Sequence, residues 1–263
     1  MPSTSRHQRV FLPVLASMVA LAWLTLWVWT SSPYGRYLEH GDWTASGPAA
    51  LLCRALPGGS LLIPAALYSV SWVLMITAMM LPTTLSLFDV FDRLVAGRTD
   101  RGRLLSLVGL GYMAVWSVFG LLAHGLHALL LGWVASEPAL VWHSWMIGAA
   151  TIAGAGTFQF SALKYRCLEQ CRTPLSFVIG HWHGRAPAHE AFRLGAHHGL
   201  FCIGCCWALM LLMFAVGTGN LGWMLVLAAV MAIEKNLSWG RRLSAPLGVA
   251  LLAWAALLVA QHV

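Results

Sequence analysis

The stretch His197-His198-Gly199-Leu200-Phe201-Cys202-Ile203-Gly204-Cys205-Cys206-Trp207-Ala208-Leu209-Met210-Leu211-Leu212-Met213-Phe214-Ala215-Val216 decides the fold class. From His198 onward it contains no Asp, Glu, Lys or Arg. At about 1.5 Å per helical residue it nearly covers a hydrocarbon core of roughly 30 Å. Six further apolar stretches resemble it: approximately 10–30, 62–88, 104–134, 140–163, 221–237 and 245–261. The sixth and seventh in chain order are the shortest. The expectation is therefore an all-α, polytopic transmembrane helix bundle with six or seven spans.

Composition agrees. The 263 residues are 59% apolar and only 10% charged, with a mean hydropathy of +0.73. A soluble domain would carry about a quarter charged residues, and a β-barrel would show short alternating segments. The net charge of +7 has a simple home in cytoplasmic loops. With the N-terminus inside, fourteen of the sixteen Lys and Arg fall on the cytoplasmic side. Only Arg36 and Arg54 fall outside. The charge is thus a topology signal, and no nucleic-acid partner is implied.

The expected organisation is a signal-anchor helix over 1–31, a core membrane domain over 62–237 and a C-terminal transmembrane helix over 245–263. Within the core, the Cys- and His-rich segment 164–197 reads as a short amphipathic helix on the inner membrane surface. The location implied is a bacterial inner membrane, with the lipid bilayer as the first partner.

The chemistry available is soft and neutral. Apart from Glu234, no carboxylate falls inside an expected span, which disfavours a proton-coupled carrier. No phosphate-cradling loop, H-E-x-x-H or G-x-S-x-G is present, so no enzyme class is indicated. Residues three and four apart share a helix face. His198, Cys202 and Cys205 line one stripe, and Cys202, Cys206, Met210 and Met213 an overlapping one. The second span offers Met75, Met79 and Met80, followed by Pro82, with Met79 at a depth similar to Cys206. Thiolates and thioethers select Cu(I), and thiolate with imidazole also suits zinc. Such residues also simply pack, because free Cys behaves as a small hydrophobe and Met fills gaps. Cys167 and Cys171, four apart, share the reducing cytoplasmic side, where metal binding or redox switching is more natural than a structural disulfide. Cys53 stands alone. His124, His127 and His143 lie near outer helix ends and offer a metal or haem site, or ordinary interface contacts. His181, His183 and His189 read as surface contacts first and accessory ligands second. Small residues around Ala149, Ala150, Ala153, Gly154, Gly156 and Thr157 predict close helix packing.

These motifs also resemble a known family. Phe158-Gln159-Phe160-Ser161-Ala162-Leu163-Lys164 leads to Cys167-x3-Cys171-Arg172-x-Pro174, then to His198-Gly199-x2-Cys202-x-Gly204-Cys205-Cys206-Trp207-Ala208, with Glu234-Lys235 after it. Together with Met75-x3-Met79-Met80-x-Pro82 this is similar to a prokaryotic family of predicted metal-binding integral membrane proteins, a domain of unknown function. The resemblance covers about 72–235 and implies a membrane location and a metal.

The expectation is an inner-membrane protein that binds, and moves or delivers, a soft metal ion, copper before zinc. His198, Cys202, Cys205 and Cys206 would be its primary ligands. Met75, Met79 and Met210 would form a softer relay, and Cys167 with Cys171 would exchange metal at the surface. Glu234 or Lys235 would orient ligands. A membrane-protein or metallochaperone partner follows from that reading. The alternatives are a thiol or haem oxidoreductase and a non-catalytic assembly subunit.

Overall fold

A computed structural model describes residues 8–32, 62–137, 143, 145–217 and 220–262. Cys53 lies outside the described residues. Among these there are ten α-helices and no strand: α1 (Gln8–Thr30), α2 (Leu62–Met79), α3 (Leu85–Leu94), α4 (Arg101–Ser136), α5 (Trp145–Phe158), α6 (Ala162–Arg172), α7 (Pro174–His181), α8 (Pro187–Val216), α9 (Leu221–Asn236) and α10 (Ser244–Ala260). Four helices, α1, α4, α8 and α10, are long and apolar enough to cross a membrane. Two bent pairs, α2 with α3 and α5 with α6, raise that to six.

Each bend has a local cause. Pro82 cannot donate an amide hydrogen, so α2 tightens into a 3-10 turn over Leu81–Thr84. Thr83 and Thr84 donate their hydroxyls to the carbonyls of Met80 and Leu81, at 2.7 and 2.8 Å. The helix axis turns by 48° there. Between α5 and α6 the axis turns by 63°, and Ser161 restarts the helix by accepting the Lys164 amide at 3.1 Å. A single span over 140–163 was expected. The observed path breaks at Gln159–Ser161 and continues into α6.

The centre of the bundle is the crossing of α4 and α8, made close by glycine. A Cβ added at Gly111 or Gly195 would run into the backbone at Phe192 or Val108, and one at Gly199 would lie 3.3 Å from the Tyr112 carbonyl. The expected small-residue contact in α5 is also present at Gly156, which faces Gly248 and Leu252 of α10. A Cβ at Gly154, by contrast, would meet open space. Outside this core, α4 turns Leu122, Leu126 and Leu129 outward at 68%, 65% and 74% exposure. An uncharged face of that kind calls for an apolar surrounding rather than water.

The segment 164–197 departs most from expectation. It is not one surface helix but α6, α7 and the first part of α8. Lys164, Cys167, Leu168 and Cys171 of α6 are buried, packed against α8. The surface role expected for Cys167 and Cys171 is therefore corrected: both thiols sit inside the bundle. The physical reason is that the apolar and sulfur face of α6 finds α8, which the 63° bend lays alongside it.

Candidate metal site

Five free thiols, Cys167, Cys171, Cys202, Cys205 and Cys206, are buried in one core cluster with Met75, Met79, Met80 and Met210. Three come from two adjacent turns of α8 and two from α6. Cys171 is buried in the same cluster as Cys202 and Cys205. Cys167 packs its sulfur onto Gly204, where an added Cβ would stand 2.5 Å away. Cys205 and Cys206 donate their thiol hydrogens to the Cys202 carbonyl at 3.1 and 2.8 Å. The Cys206 sulfur lies 3.9 Å from the Met80 thioether. It is Met80, immediately before the 3-10 turn, that reaches the thiols; Met79 is buried beside it in the same core.

Two further groups complete the site. Lys235 of α9, 6% exposed, places its ammonium 2.9 Å from the Cys202 sulfur, 3.4 Å from the Thr83 hydroxyl and 3.9 Å from the Met80 sulfur. The Tyr112 hydroxyl stands 3.1 Å from the same Cys202 sulfur. Lys235 was expected near the ligands, whereas Tyr112 was missed. Its signal was a polar-tipped ring in the middle of an apolar helix, where such a tip usually has a partner.

The neighbouring residue, Glu234, faces another way. It takes the Lys164 ammonium at 2.7 and 2.9 Å and the Ser244 hydroxyl at 2.6 Å. Lys164 also donates to Gln159. Arg172 ties the end of α9 through the carbonyls of Glu234, Leu237 and Ser238. The Lys164–Glu234 pair is thus internally neutral. Among the described residues no carboxylate lies within ion-pair distance of Lys235. A buried charge needs a partner, and the sulfur at 2.9 Å is the group placed to be one.

His198 is 2% exposed, one turn before Cys202, and its Nδ1 has no hydrogen-bond partner. At the other end of α4, His124 stacks on Tyr68 at 4.1 Å and His127 meets Phe214 at 5.1 Å, while His143 is exposed. Among the described residues no three His, Cys, Asp or Glu side chains are posed together as a ready-made metal site. The donor set is nonetheless the soft one, thiol, thioether and imidazole, that suits Cu(I).

A helix bundle with four to six helical spans long and apolar enough to cross a membrane, built around one buried thiol-rich cluster, is what this geometry describes. The chain belongs to the PpoB2 family, described as copper chaperone, whose profile matches residues 69–258. That match takes in every thiol of the cluster, Lys235 and most of α10, and leaves α1 outside. It makes the role of the chain a copper-related one. No curated protein and no solved structure matches the chain.

Proposed function

We propose that this protein is a multi-pass protein of the bacterial inner membrane, N-terminus cytoplasmic, that holds Cu(I) between buried thiols and hands it on. The observation that carries the reading is the burial of Cys171, Cys202, Cys205 and Cys206, from two helices, in one cluster where Cys206 meets Met80 and Cys202 meets Lys235. Charge balance favours a monovalent ion. Two thiolates and Cu(I) sum to one negative charge, which Lys235 neutralises inside an apolar core. Two thiolates and a divalent ion sum to zero and leave Lys235 uncompensated, at the expense described for buried charges. His198 serves as a nearby imidazole ligand, and Cys167 as a thiol next to the pair. Met75, Met79 and Met210 extend the soft-donor region through the core. A buried site holds copper away from water and oxidants, and a membrane or soluble protein partner receives it.

The test is metal analysis of protein purified under reducing, anaerobic conditions. Wild type is expected to carry near-stoichiometric copper and little zinc. The Cys202/Cys205/Cys206→Ser variant should lose most of it. Equal, negligible copper in both proteins sinks the proposal.

A further inference from the structure

One group of side chains lies between the thiols and the surface and has no part in the site above. His181 closes α7 and His197 lies on α8, both half-buried, with ring centroids 5.2 Å apart. His181 Nδ1 lies 2.8 Å from the Phe177 carbonyl. With Nδ1–H donated there, the lone pair faces out from Nε2, which is how metal-binding histidines are commonly held. The Phe177 ring stacks on His181 at 4.3 Å and stands edge-on to His198 at 5.5 Å. His197 and His198 are successive residues, so they point about 100° apart around α8: one to the opening, one to the interior. His198 then stands one turn from Cys202.

The surroundings select what can arrive. Glu190, the carboxylate of the first turn of α8, is taken up by the backbone amides of His183, Gly184, Arg185 and Ala186 at 2.7–3.1 Å. Those four bonds also fix the loop that joins α7 to α8. Arg185 and Arg193 are exposed beside it, and Arg193 stands four residues before His197, on the same face of α8. Such a rim opposes a free metal cation and attracts an anion.

We infer that His181 and His197 form a loading site that accepts Cu(I) from an anionic thiolate complex and passes it by way of His198 to the buried thiols. The inference rests on the copper reading above. At the loading step a bond from copper to the donor thiolate breaks as a bond to an imidazole nitrogen forms. The donor leaves as thiolate, drawn off by the arginine rim. At the next step the copper–nitrogen bond is exchanged for one to a cysteine sulfur, and any proton on that thiol leaves to water. Copper stays Cu(I) throughout.

The test uses the full chain in detergent, loaded anaerobically from a Cu(I)–glutathione complex and followed by the copper–thiolate absorption. The His181→Ala/His197→Ala variant should reach the wild-type end point about tenfold more slowly, the lower end of what losing an accessory metal-site group typically does. His183→Ala/His189→Ala, which alters exposed histidines outside the group, should load at the wild-type rate. A wild-type rate in the His181/His197 variant overturns the inference, and so does a lowered end point, which would make these histidines part of the final site. The Cys202/Cys205→Ser variant separates the two readings. With the histidines intact it should still take up copper that a chelator removes at once, and it should lose even that when His181 and His197 are also changed. Full, tightly held copper in Cys202/Cys205→Ser refutes the thiol site alone.

Discussion

Glu234 and Lys235 are adjacent in the chain and divide the charged interior between them. Glu234 closes a neutral pair with Lys164, and Lys235 is given to sulfur. Removing one member of a buried pair leaves the other uncompensated and costs about 3–5 kcal/mol. Glu234→Leu is therefore expected to lower the thermal unfolding temperature sharply in detergent, and Lys164→Met/Glu234→Leu to recover most of the loss. A double variant as unstable as the single one would show that the pair is not the source. At this scale the shared buried face of His198, Cys202, Cys205 and Cys206 was legible from spacing alone, because i, i+3 and i, i+4 positions share a face whatever the partner is. Tyr112 and the choice of Met80 over Met79 were not. Both depend on which neighbouring helix a side chain meets.

At the scale of elements, the α4–α8 crossing sets the position of Tyr112 against Cys202. Gly195 admits the Val108 carbonyl so closely that an added Cβ has no room. Gly195→Ala is expected to destabilise by about 1–3 kcal/mol, the usual range for overpacking, and to weaken copper retention by parting the helices. Gly125→Ala, in the same α4 with open space around it, should be neutral or stabilising, by up to about 1 kcal/mol from helix propensity. Unfolding of both variants in one detergent checks the pair of expectations; equal effects would remove the crossing as the cause. The helices of the long apolar stretches were legible, since 3.6-residue periodicity and apolar length need no tertiary partner. The arrangement of 164–197 was not. Its mixed composition suits a membrane surface as well as a protein interior, and the bend at Gln159–Ser161 made it interior.

Across the molecule, α9 begins near the end of α8 and returns until Lys235 meets Cys202. Its 16 residues extend about 24 Å, so this short helix covers about half the length of the 30-residue α8. If α9 crosses with α1, the α2–α3 and α5–α6 pairs, α4, α8 and α10, a cytoplasmic N-terminus places the C-terminus outside. A periplasm-dependent phosphatase reporter fused after Val263 is then expected to be active, and one placed between Arg242 and Ser244 inactive. The reverse pattern would reject this topology. Contacts gather the basic segments at one end of the bundle: Asp92 with Arg101, Phe91 with Trp182, and Arg241 with Glu169 and Tyr165. The thiols and the proposed loading histidines lie towards that same end.

Helical class, an apolar exterior and an interior supplied with sulfur and imidazole side chains were determined by the sequence itself, because hydropathy, periodicity and side-chain type belong to residues taken singly or along one helix. Only the tertiary structure decided that Cys171 and Cys167 join the α8 thiols, that Lys235 rather than a carboxylate faces them, and that Phe177 stands between His181 and His198. Each of these is a meeting of side chains far apart in the chain. It is set by where Pro82 and Ser161 turn the helices and by how closely the glycines of α4 and α8 let them approach.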